Sequence, residues 1–189
     1  SSVLNNILIS DDTETCQEAL KNLFTSKIID CRDAGTVSRF LLPICAALGG
    51  EYHFDGSSRM RERPIGPLLD ILKQQKVEFE FLESRDKMPF IMKSNGLVGG
   101  KISVNVHDSS QFLSGLLMAA PLTKTGFIIQ AIANSNLNPQ DISQKPYIQM
   151  TLHLMGKFGI KHKLVNDSTI EILPGTYQAI DSGLGLDIE

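Results

Sequence analysis

The chain has 189 residues, 42% of them hydrophobic, and a formal net charge of −3 at neutral pH. That suits one domain with a substantial core, or two small ones, and excludes collagen-like and disordered classes. No apolar run approaches the roughly 20 residues of a membrane-spanning helix, and net acidity argues against general nucleic-acid binding, so any anion site must be local.

The first element, "SDDTETCQEALKNLF" (10–24), reads as a helix with Ser10 or Asp11 as N-cap and acidic residues in its first turn. "SKIID" (26–30) is the strand expected after it. "GTVSRFLLPICAALGG" (35–50) reads as a buried helix that starts at small polar residues, with Pro43 expected to kink it. A strand, "EYHFDG", follows. In "SSRMRERPIG" (57–66) Arg59, Arg61 and Arg63 alternate, which in an extended segment puts them on one side, with Glu62 facing away to orient a neighbour. An amphipathic helix, "RPIGPLLDILKQQ", the alternating strand "VEFEFLE" and a further strand, "KISVNV", come next. "SSQFLSGLLMAAPLTKTG" (109–126) is a second buried helix, followed by "FIIQAI", the helix "KPYIQMTLHLMGKFG", and the strands "IKHKLV" and "TIEIL".

This order contains a repeat. Both buried helices begin with small polar residues and continue as Arg39-Phe40-Leu41 or Gln111-Phe112-Leu113. After each come a strand, a loop ending in proline, an amphipathic helix and a pair of strands, so a strand, helix, strand, helix, strand-pair unit occurs twice. Residues 10–30 match only the second helix and following strand of a third copy. The expectation is that this copy lacks its buried helix, through trimming or because the helix is supplied from elsewhere, and that the exposed apolar surface marks the protein as a groove, a self-associating face or a collapse. If the polar starts of the buried helices gather at one end, their free N–H groups and partial positive charge make that end receptive to an anion.

Several residues suit such a site, each beside a plainer reading. Arginine matches carboxylate and phosphate in two-pronged fashion, while composition alone favours a solvated charge run pairing with nearby acids for Arg59, Arg61 and Arg63. Gly35 lets a ligand approach a strand-to-helix junction, or is a turn glycine. Ser109, Ser110 and Gln111, in "DSSQFL", offer hydroxyls and an amide, or are an ordinary N-cap. Tyr147 faces a ligand or packs in the core. Cys16, Cys31 and Cys45 have no paired spacing and read as reduced packing residues of a cytoplasmic protein, and the scattered His53, His107, His153 and His162 give no metal motif. There is no catalytic triad order, P-loop or dinucleotide fingerprint. On residues alone the reading stops at an anion-binding α/β domain.

Together, "AGTVSRFL", "RMRERPIGPLLDIL", "SSQFLSGLLMAAPL" and "KPYIQMTLHLM" resemble the 5-enolpyruvylshikimate-3-phosphate synthase family, from about residue 10 to about residue 177. The resemblance implies an α/β fold, one lobe of the enolpyruvyl transferase fold, made of repeated βαβαββ units with buried helices and an incomplete first unit. It implies transfer of the enolpyruvyl group of phosphoenolpyruvate to the 5-hydroxyl of shikimate 3-phosphate, in aromatic amino acid biosynthesis, without cofactor or metal. Residues 1–178 would be the shikimate-phosphate-binding lobe and 179–189 a tail or truncated crossover to a second lobe. That second lobe would bring the catalytic acids and further cations, leaving no catalytic residue here and an inactive isolated chain. By resemblance Gly35, Arg59 and Gln111 contact phosphoenolpyruvate. Ser109, Ser110, Gln111 and Tyr147 contact shikimate 3-phosphate, and Arg39, Arg61 and Arg63 are supportive. Two positions depart from the family pattern: Asp33 stands in place of asparagine, and Gln144 in place of a ligand serine, with Ser143 one place earlier. The competing expectation is a non-catalytic anion-binding module of the same fold. The related UDP-N-acetylglucosamine transferases use a catalytic cysteine, and no cysteine here has a matching context.

Overall fold

The computed structural model describes residues 10–106, 109–133, 138, 139, 141, 142 and 145–179. The expectations placed on His107, Asp108, Ser143, Gln144 and the tail from residue 180 lie outside these residues.

The chain opens on α1 (Asp11–Asn22), where the Ser10 hydroxyl accepts from the Thr13 amide and Asp11, Asp12 and Glu14 fill the first turn. Both features satisfy the free N–H groups and partial positive charge of a helix start. Then come β1 (Ile28–Asp30), α2 (Gly35–Leu48), β2 (Gly50–Asp55), a single turn α3 (Ser58–Arg61), α4 (Gly66–Gln74), β3 (Glu78–Phe81) and β4 (Phe90–Ser94). The second half runs β5 (Gly100–Asn105), α5 (Ser110–Ala119), a 3₁₀ turn at Ala120–Leu122, β6 (Phe127–Ala133), the short β7 (Asn138–Pro139), α6 (Pro146–Lys157), β8 (His162–Asn166) and β9 (Thr169–Ile172).

Two sheets of one topology result. The first has the order β1-β2-β4-β3, the second β5-β6-β9-β8, with β7 also on β6. In each, the opening pair is parallel and the remaining pairs are antiparallel. The βαβαββ repeat is therefore present twice, with different seams from those expected. Ile28–Asp30 pairs with β2 and opens the first unit; it does not close a preceding one. "KISVNV" opens the second unit, and the true partner of β3 is β4, a strand not expected from the sequence.

The first helix of each unit is deeply apolar. In α2, Val37, Leu41, Leu42, Cys45 and Ala46 are buried; in α5, Phe112, Leu113, Leu116 and Leu117 are. Buried on most sides, these helices pack against each other. Gly115 sits at their crossing: a β-carbon there would overlap the Arg39 carbonyl oxygen and stand 3.1 Å from Pro43 Cγ. The missing side chain is what permits so close an approach. Pro43 lies inside α2, which continues through it to Leu48. One buried cluster, from Ala19 to Ile172, joins both units.

Candidate anion-binding site

The site forms where α2 and α5 begin. Ala34 supplies no side-chain cap to α2, so the first amides of that helix are left for other partners. Around Gly35 the structure gathers positive charge. A β-carbon on Gly35 would collide with Arg63 Nη1 and stand 3.1 Å from Arg39 Nη1. Arg39 is half-buried, and its pKa is lowered, first by burial and then by the neighbouring charge of Arg63. Its Nη1 donates to Gln111 Oε1 at 2.6 Å, and its guanidinium lies over the Phe112 ring, 5.6 Å from the centroid. Neither arginine has an ion-pair partner among the described residues. Like charges held side by side favour an anion between them.

At the start of α5 the Ser109 hydroxyl accepts from the Gln111 amide at 3.2 Å. It thus caps the helix and still has its own O–H to donate. Ser109, Ser110 and Gln111, with Thr36 of α2 and Tyr147 at the start of α6, line one groove of about 1030 Å³. Away from this polar end its walls are apolar and include Phe40, Ile44, Met118, Leu154 and Phe158. Tyr147 is 67% exposed. Ser114 and Thr151 share a hydrogen bond of 3.0 Å that ties α5 to α6 beneath it. Tyr177 seals the far side: burial pushes its hydroxyl up to about 12, and it donates to the Met118 carbonyl.

The alternating arginines do not share a side. Ser58–Arg61 is helical, capped by the Ser57 hydroxyl on the Met60 amide, and the period of two fails with it. Arg61 is held by both Asp55 oxygens, each at 2.9 Å, and by Glu83. Glu62 pairs with Lys87 and orients no arginine. Arg59 is exposed and has no hydrogen-bond or ion-pair partner among the described residues. Asp33 accepts from the Ser57 hydroxyl at 2.6 Å. Gly35, Ser109, Ser110, Gln111 and Tyr147 thus surround two adjoining features, the arginine pair and the groove. The reading from residues gave Arg39 and Arg63 no place at Gly35. A signal for Arg39 was present in the repeat, where Arg39 and Gln111 occupy one position in two helices that pack together.

Cys31 and Cys45 are buried and their thiols are pushed up by burial, that of Cys45 to about 12; Cys16 is raised for the same reason. None has the lowered pKa of a nucleophilic thiol. Among the described residues no group of three or more His, Cys, Asp or Glu is placed to hold a metal ion, and no helix is long and apolar enough to cross a membrane.

The fold defines a class: an α/β protein of tandem βαβαββ units, with two arginines side by side at the start of one of its two packed internal helices. The family model of EPSP synthase (3-phosphoshikimate 1-carboxyvinyltransferase) matches residues 4–181, and the chain belongs to that family. It is 38% identical over 157 residues to the 3-phosphoshikimate 1-carboxyvinyltransferase of Photobacterium damsela subsp. piscicida, covering 82% of this chain and 35% of that protein. It is 32% identical over 204 aligned residues to that of Sulfurovum sp. (strain NBC37-1), covering 95% and 46%. The chain therefore spans less than half the length of these relatives. The solved EPSP synthase of Acinetobacter baumannii superposes with a TM-score of 0.61 at 16% identity, over 80% of this chain and 31% of that one. The enolpyruvyl transferase NikO of Streptomyces tendae gives 0.51 at 15%, over 75% and 30%. At such identities the likeness is one of fold.

Proposed function

We propose that this chain is the shikimate-phosphate-binding lobe of a 3-phosphoshikimate 1-carboxyvinyltransferase, extending through residue 178. The whole enzyme transfers the enolpyruvyl group of phosphoenolpyruvate to the 5-hydroxyl of shikimate 3-phosphate and releases phosphate. One observation carries the reading: the guanidiniums of Arg39 and Arg63 meet at Gly35 beside the Ser109–Gln111 helix start, with no acid pairing them among the described residues. Ser109 and Ser110 hold the phosphate of shikimate 3-phosphate through hydroxyls and first-turn amides. Gln111 and Tyr147 contact the same substrate. Gly35, Arg59 and Gln111 receive phosphoenolpyruvate, with Arg63 adding positive charge beside Gly35.

A second lobe supplies the acids, bases and remaining cations that stabilise developing charge, so no catalytic residue is assigned here. The apolar groove along α2, α5 and α6 takes a further internal helix of the same repeat, in keeping with two equivalent helices already packed together. No cofactor enters the reaction.

Titration of the 189-residue chain by NMR tests this. Shikimate 3-phosphate is expected to bind weakly with shifts centred on Ser109–Gln111, phosphoenolpyruvate more weakly, and no turnover is expected with both. Shifts confined to residues remote from this segment, or tighter binding of phosphoenolpyruvate, would overturn the assignment. Turnover by the chain alone would overturn the division of labour between lobes.

A further inference from the structure

We propose that Arg39 is a positioning residue that fixes which way the Gln111 side-chain amide faces, so that Gln111 presents N–H donors, and not its carbonyl, to a bound anion. The proposal rests on the functional reading above, in which Gln111 touches ligand.

The argument begins with donor and acceptor counts. A glutamine amide has an acceptor at one corner and two donors at the other, and rotation about its last bond exchanges them. Arginine has five N–H donors and no acceptor. A glutamine against a guanidinium can therefore turn only its oxygen toward it. Arg39 Nη1 meets Gln111 Oε1 at 2.6 Å, and the two Nε2 protons are directed elsewhere. Gln111 lines the groove beside Ser109 and Ser110, which are also donors. An amide turned the other way would put a carbonyl oxygen among groups that suit an anion, and repel it.

Arg39 is itself held firmly enough to act this way. Its guanidinium rests over Phe112, the residue that follows Gln111. Its backbone carbonyl touches α5 at Gly115, one helical turn beyond Gln111. Both ends of the Arg39 side chain are thus referenced to α5, and the distance to Gln111 follows from the helix crossing. The repeat explains why the two residues meet, since they occupy equivalent positions in packed helices. Two arginines there would repel, and two glutamines would leave both amide orientations open. One residue of each kind leaves a single orientation.

The test uses R39K, R39Q, Q111A and the double variant R39Q/Q111A in the full 189-residue chain. The Gln111 side-chain NH2 resonances are identified by their loss in Q111A. Without ligand, R39K is expected to leave these resonances near their wild-type positions, because lysine is also a donor only. R39Q, which offers both donor and acceptor, is expected to shift or double them. Unchanged resonances in R39Q overturn the proposal. With shikimate 3-phosphate, R39Q and Q111A are each expected to weaken binding about tenfold, the loss of one charge-assisted contact. R39Q/Q111A is expected to be no weaker than Q111A, since Arg39 acts through Gln111. Losses that multiply in the double variant mean that Arg39 acts on shikimate 3-phosphate by a route other than Gln111, and overturn the proposal. If the ligand-free shifts appear as expected but neither shikimate 3-phosphate nor phosphoenolpyruvate moves the Gln111 resonances, the functional reading fails while the positioning role stands.

Discussion

Arg61 and Arg63 are two residues apart in sequence and have opposite surroundings. Arg61 is held by Asp55 and Glu83, whereas Arg63 lies against Gly35 with another arginine for neighbour. Burial alone would raise the Asp55 carboxyl. Hydrogen bonds from Arg61 and the Gly56 amide outweigh it, and the pKa is lowered. A carboxyl whose folded pKa is depressed contributes stability above its unfolded value, about 3.9, and loses it as the pH falls through the folded value. Asp55→Asn is therefore expected to melt below wild type at neutral pH, with the gap closing on acidification through that region. Thermal melts across the pH range check this, and a gap independent of pH would contradict the ion-pair account. The residue types at this site were legible in the sequence and their partners were not. "RMRER" announced guanidiniums, but their common side depended on extended backbone, and Ser57 capping the Met60 amide made a helical turn instead.

At the scale of elements, the crossing of α2 and α5 governs the site. A β-carbon at Gly115 meets backbone, the Arg39 carbonyl, which cannot swing aside as a side chain can. Gly115→Ala is expected to push the helices apart and cost about 1–3 kcal/mol, as overpacking of a close contact does. Urea unfolding measures it, and an unchanged midpoint would mean the crossing is looser than described. The two buried helices, their polar starts and the repeat were readable because apolar runs and small-residue starts are local signals. The seams of the repeat were not. Whether β3 pairs with "FIMKS" or with "KISVNV" is decided by strand pairing at long range, β3 with β4 and β5 with β6, and no local pattern records that choice.

At the scale of the whole molecule, the groove along α2, α5 and α6 leaves an open apolar wall. A dye that fluoresces on exposed apolar surface, such as ANS, is expected to bind the native chain strongly. Leu154→Glu, which puts a charge on that wall, is expected to remove most of the signal while the far-ultraviolet circular dichroism stays the same. Equal fluorescence in both would show that the dye reports some other surface. The two units also have a particular relation to each other. Among the described residues no strand of one sheet pairs with a strand of the other, and the halves meet through α2 and α5. A substitution within either ladder is answered first inside its own half, so the strands of the two units are free to differ, and the coupling between units falls on that seam. There the two copies must change in concert, and there they have come to differ in chemical character, with a cation in one and an amide in the other. A repeated unit thus carries unlike groups at equivalent helix positions, and their contact gives the seam a direction that a symmetric pair would lack.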